Sequence, residues 1–201
     1  MSQFTQLTIG ILALQGGYAR HAAMLQDLGC QTKLIKKQEE LESIDGLILP
    51  GGESTTIGML AQRFGLLPSI QKKITAGLPV FGTCAGLILL ADTIEGSDQA
   101  HFGGLAISVR RNAYGTQKDS FETDLQIQVD NETWNIRGVF IRAPQVIKTA
   151  KGTEILCRYE DLPVLLRQNN ILAASFHPEL TENNSLHRFF LSKMVIPSKN
   201  T

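Results

Sequence analysis

The chain has 201 residues, enough for one domain with a sizeable core. Nineteen basic and nineteen acidic residues cancel, so no global field favours nucleic acid or an anionic membrane. No apolar run is long enough to cross a bilayer, and Met1 to Gln6 lack the basic-then-apolar pattern of a signal peptide. Three scattered cysteines (Cys30, Cys84, Cys157) suit neither a disulfide framework nor a zinc site, and a soluble, cytoplasmic, reducing setting is expected.

In chain order, Thr8 to Leu14 is a continuous apolar run, the mark of a strand buried on both faces. After the loop Gln15-Gly16-Gly17, Ala22, Leu25 and Leu28 recur at helical spacing from Tyr18 to Leu28, and Gly29 follows as a C-terminal cap. Thr32 to Ile35 reads as a strand, Gln38 to Ile44 as a short charged helix, and Gly46 to Leu49 as a third strand closed by Pro50-Gly51-Gly52. Helices over Thr55 to Phe64 and Pro68 to Ala76 lead into the strand Val80-Phe81, and a helical segment opens at Gly86. This alternation predicts an α/β fold with a mostly parallel central sheet and helices on both faces.

Beyond Asp92 the pattern changes to strand after strand: Leu105 to Val109, Leu125 to Val129, Gly138 to Ile141, Glu154 to Cys157, Val164 to Arg167 and Ile171 to Ser175. These are expected to extend the sheet with antiparallel strands and hairpins. Leu186 to Val195 has a final helical signal. No repeat or linker divides the sequence, so residues 1–201 read as a single domain with an ordered core over about 7–195 and a frayed tail over 196–201.

Three stretches carry chemistry. Gly82-Thr83-Cys84-Ala85-Gly86, at the end of an apolar strand and the start of a helix, has the spacing of a nucleophile elbow with a thiol. Its glycines leave room for a tight turn, and the helix N-terminus favours a thiolate. Ser175-Phe176-His177-Pro178-Glu179 follows another apolar strand, and Pro178 fixes a turn in which His177 and Glu179 can lie close. A thiol nucleophile needs such a base, and the base a carboxylate to fix its tautomer.

The third stretch, Pro50-Gly51-Gly52-Glu53-Ser54-Thr55, offers paired glycines with unusual backbone angles and bare N–H groups. It lacks the Lys-Ser/Thr ending of a nucleotide-binding loop and suits an oxyanion hole, with donors from Gly52 and Ala85. A helix N-cap formed by Ser54 or Thr55 is compatible with that role.

Together these elements resemble the class I, triad-type glutamine amidotransferases, and among them the glutaminase subunits of pyridoxal 5′-phosphate synthase. The resemblance also rests on Leu14-Gln15-Gly16, Arg111-Asn112, Asp119-Ser120-Phe121-Glu122 and Phe140-Ile141-Arg142-Ala143-Pro144, and spans about residues 8 to 190. Gly17 to Arg20 and His101 to Gly104 depart from the pattern. The resemblance implies a flavodoxin-like amidotransferase fold, with Cys84 as nucleophile, His177 as base and acid, and Glu179 as its orienter.

It further implies an oxyanion hole at Gly52 and Ala85, and glutamine-binding residues Gly52, Glu53, Ser54, Arg111, Ile141 and Arg142. An arginine suits the α-carboxylate of glutamine and a glutamate its ammonium; which arginine touches substrate stays open. L-glutamine and the synthase subunit are the implied partners, with no cofactor, metal, nucleic acid or membrane. The resemblance also implies that ammonia passes to the synthase, and that synthase binding reorients the Gly51-Gly52 peptide to complete the oxyanion hole. Alternatives are a subunit serving another pathway, a silent regulatory subunit and an independent thiol hydrolase. Tyr114 is expected to pack, Cys30 and Cys157 to be inert packing residues, and His21, His101 and His187 carry no assignment.

Overall fold

The computed structural model describes residues 3–111, 120–129 and 132–199. Asn112, Tyr114 and Asp119, singled out in the sequence, lie outside these described residues.

The first strands and helices alternate: β1 (Thr8–Leu12), α1 (Tyr18–Asp27), β2 (Gln31–Ile35), β3 (Gly46–Leu49), α2 (Ser54–Arg63), α3 (Leu66–Thr75), β4 (Val80–Thr83) and α4 (Ala85–Leu90). The charged segment after β2 is a single 3₁₀ turn, Gln38–Leu41, shorter than its predicted helix. Gly29 has φ of 91°, so the glycine after α1 takes the left-handed backbone that a helix C-terminus favours.

Then come β5 (Ala91–Ile94), β6 (Leu105–Arg110), β7 (Ser120–Val129), β8 (Glu132–Ile141), β9 (Gln145–Thr149), β10 (Glu154–Tyr159), β11 (Leu162–Gln168) and β12 (Ile171–Ala174). The chain closes with α5 (Ser185–Phe190), a π-helical turn (Leu191–Val195) and α6 (Ile196–Lys199). Fraying predicted from residue 196 is therefore not found over 196–199. Lys199 instead donates to the backbone oxygen of Gln6 at 3.0 Å and pairs with Asp45 at 3.0 Å.

The main sheet has seven strands in the order β10-β11-β12-β4-β3-β1-β2. From β12 to β2 every pairing is parallel, while β11 and β10 add antiparallel strands at one edge. The parallel part has the flavodoxin-like order, in which ligands bind beyond the carboxyl ends of the strands near the switch point.

Only part of the second half extends this sheet. β5, β6 and β9 form a separate three-stranded sheet, and β7 pairs with β8 as a hairpin. The hairpin alternates buried and exposed residues, so only one of its faces joins the core. β5 and β9 escaped sequence reading because β5 starts directly at the end of α4 and only one residue of β9 is fully buried.

Alternate strand residues serve opposite faces. Ile9, Ile11, Ile48, Phe81 and Leu172 pack with Leu25 of α1 and with Leu186 and Phe190 of α5. Leu47, Leu49, Val80 and Ala173 pack with Ile57, Ile70 and Leu87 of α2, α3 and α4. Helices thus cover both faces. Among the described residues no helix is long and apolar enough to cross a membrane.

The approach of α4 to the sheet depends on glycines. A Cβ on Gly86 would lie 2.0 Å from the carbonyl oxygen of Leu49 in β3, and one on Gly82 would lie 2.7 Å from the carbonyl carbon of Gly86. Neither neighbour is a flexible side-chain end. Gly86→Ala should therefore destabilise the protein by about 1–3 kcal/mol or more, through overpacking against backbone. Urea unfolding would check this against Gly77→Ala, a position with open space but a φ of 92°.

Candidate active site

The carboxyl end of β4 and that of β12 lie side by side, because Thr83 pairs with Ala174 in parallel register. One further backbone bond extends the pairing: the Cys84 N–H donates to the Ala174 oxygen at 2.8 Å. His177, three residues past Ala174, donates its backbone N–H to Val139 of β8 at 2.8 Å. These two bonds place the elbow and the histidine turn against each other.

Cys84 sits at φ 48° and ψ −102°, a backbone conformation rare for a residue with a side chain. Ala85 is the first residue of α4, where a backbone N–H has no intrahelical acceptor. The Cys84 thiol approaches the carbonyl oxygen of Ile141 at 3.8 Å. His177 interacts electrostatically with Cys84 on one side, and on the other its Nδ1 meets Glu179 Oε1 at 2.8 Å.

Pro178–Leu180 forms a 3₁₀ turn that turns Glu179 back under the ring, where it is only 4% exposed. Burial opposes a charge on His177, but its hydrogen bonds and charge interactions with Cys84 and Glu179 prevail and raise its pKa to about 10. Burial likewise opposes a charge on Glu179; the facing His21 and His177 outweigh it and hold the carboxyl below its ordinary value. A thiol, an imidazole and a carboxylate in this order can attack a carbonyl carbon and hand a proton to a leaving amine.

Gly51 and Gly52, expected to allow unusual backbone angles, do not have positive φ. They are needed for space. A Cβ on Gly51 would lie 2.4 Å from His177 Cε1, and one on Gly52 would lie 2.5 Å from Gln15 Oε1. The Gly51 carbonyl accepts from the Gly17 N–H at 3.0 Å. Because the peptide is planar and trans, this turns the Gly52 N–H away from the Gly16-Gly17 loop.

A cleft of about 280 Å³ opens over these groups, lined by Gly52, Glu53, Ser54, Cys84, Ile88, Arg111, Ile141, Arg142 and His177. All six residues expected to bind glutamine lie on this lining, together with Ile88, which the sequence had not singled out. Residues 11–196 match the family model described as the SNO glutamine amidotransferase family. The chain belongs to that family.

Curated relatives agree over almost the whole chain. The "Pyridoxal 5'-phosphate synthase subunit PdxT" of Carboxydothermus hydrogenoformans is 47% identical over 94% of this chain and 98% of its own. The protein of the same name from Frankia alni is 51% identical, over 91% of this chain and 92% of its own. A solved structure titled "Crystal structure of glutamine amidotransferase" superposes with a TM-score of 0.87 at 49% identity, covering 91% of this chain and 96% of the other. PurLQS from Thermotoga maritima shares the fold, with a TM-score of 0.66 at 16% identity over 95% of each chain.

In this amidotransferase the helix cap is neither Ser54 nor Thr55. Glu53 precedes α2 and accepts from the Thr55 N–H at 3.4 Å and from its hydroxyl at 2.9 Å. The same carboxylate oxygen accepts from Arg111 at 2.9 Å, and Arg111 also donates to Gln99 at 3.0 Å. Gln99, which also accepts from the Ser54 hydroxyl at 3.3 Å, lay outside any recognisable motif. Arg142 lines the same cleft with φ of 44°. Cys30 and Cys157 are buried, with burial raising both thiols to about 11.

The site's largest surprise lies behind Glu179. His21 and His187 are both fully buried, with His21 Nδ1 and His187 Nε2 2.9 Å apart. They come from α1 and α5, and 166 residues separate them, so no local pattern signals the pair. Burial lowers both pKa values, that of His187 to about 3.

The unfolded chain protonates these rings below about pH 6.5, whereas the folded protein resists it. Their contribution to stability is therefore complete above that pH and is lost as pH falls below it, for His187 down to about 3. For His177 the sign reverses: its contribution is present below about pH 6.5 and is lost as pH rises toward 10. Urea unfolding between pH 7 and 4 should show stability falling with pH, by up to about 1.4 kcal/mol per unit for each buried ring. His187→Leu should be less stable at pH 7 but should fall less steeply.

Proposed function

We propose that this amidotransferase hydrolyses L-glutamine to L-glutamate and ammonia, and delivers the ammonia to a synthase subunit that makes pyridoxal 5′-phosphate. The observation that carries the chemistry is the His177–Glu179 pair on the same cleft wall as Cys84. The partner assignment is supported by the names of curated relatives that cover more than nine-tenths of the chain. Residues 1–201 act in this reading as one catalytic domain, with both core clusters built on the same sheet.

The Cys84 thiolate attacks the side-chain amide carbon of glutamine, forming a carbon–sulfur bond and pushing the carbonyl electrons onto oxygen. N–H groups of Gly52 and Ala85 stabilise that oxyanion; losing one such donor typically costs about 2.7–4 kcal/mol of transition-state stabilisation. His177 gives its proton to the departing nitrogen, the carbon–nitrogen bond breaks, and ammonia leaves a γ-glutamyl thioester. A water then attacks the thioester while His177 takes its proton, and glutamate departs as the thiolate is restored. Every proton and electron pair is accounted for without a redox step.

Glu53 and Arg111 already pair with each other at the cleft. Arg142 has no such ion pair among the described residues and is the better placed to take the α-carboxylate of the substrate. Ser54 and the exposed edge of Glu53 then face the ammonium side. The synthase gates the reaction by reorienting the Gly51-Gly52 peptide, whose carbonyl is tied to Gly17 here.

Glutamate release should be weak for the chain alone and strongly stimulated by purified synthase subunit. In the stimulated complex, Cys84→Ala should lose about 10⁶-fold in kcat and Glu179→Gln about 10⁴-fold, with both variants folded. Equal, high turnover with and without synthase would instead identify an independent hydrolase, and turnover retained by Cys84→Ala would overturn the mechanism.

A further inference from the structure

Glu179 uses only one of its two oxygens on His177. The other, Oε2, is buried and has no hydrogen-bond partner among the described residues; His21 Nε2 lies 3.4 Å from it. A carboxylate oxygen in so dry a place is costly unless an N–H faces it. The same His21 Nε2 lies 3.1 Å from the Thr83 hydroxyl, one residue before Cys84.

The proton positions around His21 follow from what each nitrogen meets. Only one proton can lie between His21 Nδ1 and His187 Nε2. If His21 Nδ1 carried it, the neutral His21 ring would turn a lone pair toward the Glu179 carboxylate. The proton of a neutral His187 would then sit on Nδ1, which is buried and partnerless. Both faults vanish when His187 Nε2–H donates to His21 Nδ1. His21 Nε2–H then points between Thr83 and Glu179, and the orphan on His187 is a bare nitrogen rather than an unmet donor.

We propose that His21 is a positioning residue for the glutaminase reaction, donating its Nε2–H toward the inner oxygen of Glu179 in a tautomer that His187 fixes from behind. This rests on the proposed role of Cys84, His177 and Glu179. A neutral ring can steady the carboxylate without placing a second full positive charge beside the His177 imidazolium. Burial keeps His21 neutral by lowering its pKa.

Four titratable groups surround Glu179 among the described residues. His177 faces it from its own turn, His21 from α1, His187 from α5 behind His21, and Cys84 acts through His177 from the elbow. Without the His21 N–H, Glu179 protonates more readily, and His177 loses its orienting charge at a higher pH than before.

The test compares His21→Leu with His21→Gln, whose amide N–H can reach the place of Nε2, in the synthase-stimulated complex. His21→Leu should lose about tenfold or more in kcat, with KM for glutamine within about twofold. The acid limb of its kcat/KM profile should move up by about one pH unit, a tenfold change in proton affinity. His21→Gln should restore most of the rate and the original limb. Wild-type kcat and pH profile in His21→Leu would overturn the proposal, as would equal losses in both variants with an unmoved acid limb.

Should His21→Leu fail to fold, imidazole ¹⁵N chemical shifts of the folded Cys84→Ala protein decide the matter. A protonated Nε2 and bare Nδ1 on His21 is the expected result, and the opposite tautomer overturns the proposal. Because that measurement needs no turnover, a failed glutaminase assay in the wild-type complex would overturn the proposed function separately from the arrangement of His21.

Discussion

The site depends on a short piece of parallel sheet. β4 and β12 are four-residue strands whose last paired residues are Thr83 and Ala174, and the bond from Cys84 N–H to Ala174 oxygen carries the pairing one step further. Side chains alternate along a strand, so a one-residue slip would send every packed residue to the opposite face. Phe81 and Leu172 belong to one core and Val80 and Ala173 to the other, which gives both cores a stake in the register. The distance between thiol and imidazole is therefore fixed by apolar packing well below the cleft.

Strain at the elbow is retained for the same reason. Cys84 at φ 48° costs of order 1–3 kcal/mol, more than a loose turn would hold. Here Gly82 and Gly86 let α4 press against β3, and Leu87, Leu89 and Leu90 are fully buried beneath it. Releasing the cysteine would require withdrawing that helix from the core. The paired glycines of the Pro50-Gly51-Gly52 loop serve a related purpose: they let backbone approach His177 and Gln15 where any Cβ would collide.

The elements most legible in the sequence were those whose local pattern and tertiary environment agree. The apolar run at Gly46 to Leu49 gives a strand with all four residues buried, and the glycine–cysteine–glycine spacing marks the strand-to-helix elbow. Cys84, His177, Glu179 and the cleft-lining residues other than Ile88 were nameable from short motifs, most of them at or just past a strand end. The separate β5-β6-β9 sheet was not legible, since strand propensity says where a strand is and not which partner it takes. Nor was the Glu53 cap, or the His21–His187 contact across 166 residues, which depends on α1 and α5 covering the same face. The helix past residue 195 was hidden by Pro197, a residue that ends most helical patterns, and is held by Lys199 bonding across to Asp45 and Gln6.

The two carboxylates of the site show how environment divides labour between like groups. Glu53 is substantially exposed, caps α2 and pairs with Arg111 in a setting where solvent screens the charge. Glu179 is buried, and its charge persists only because rings face it on both oxygens. An exposed pair can exchange partners as a zwitterionic substrate enters, since water can replace whatever is lost. A buried carboxylate has no such substitute, so its neighbours must be in place before substrate arrives. Side chains at the cleft rim are thus suited to adaptation, and those behind His177 to preorganisation, which is where the proposed amide cleavage would change charge.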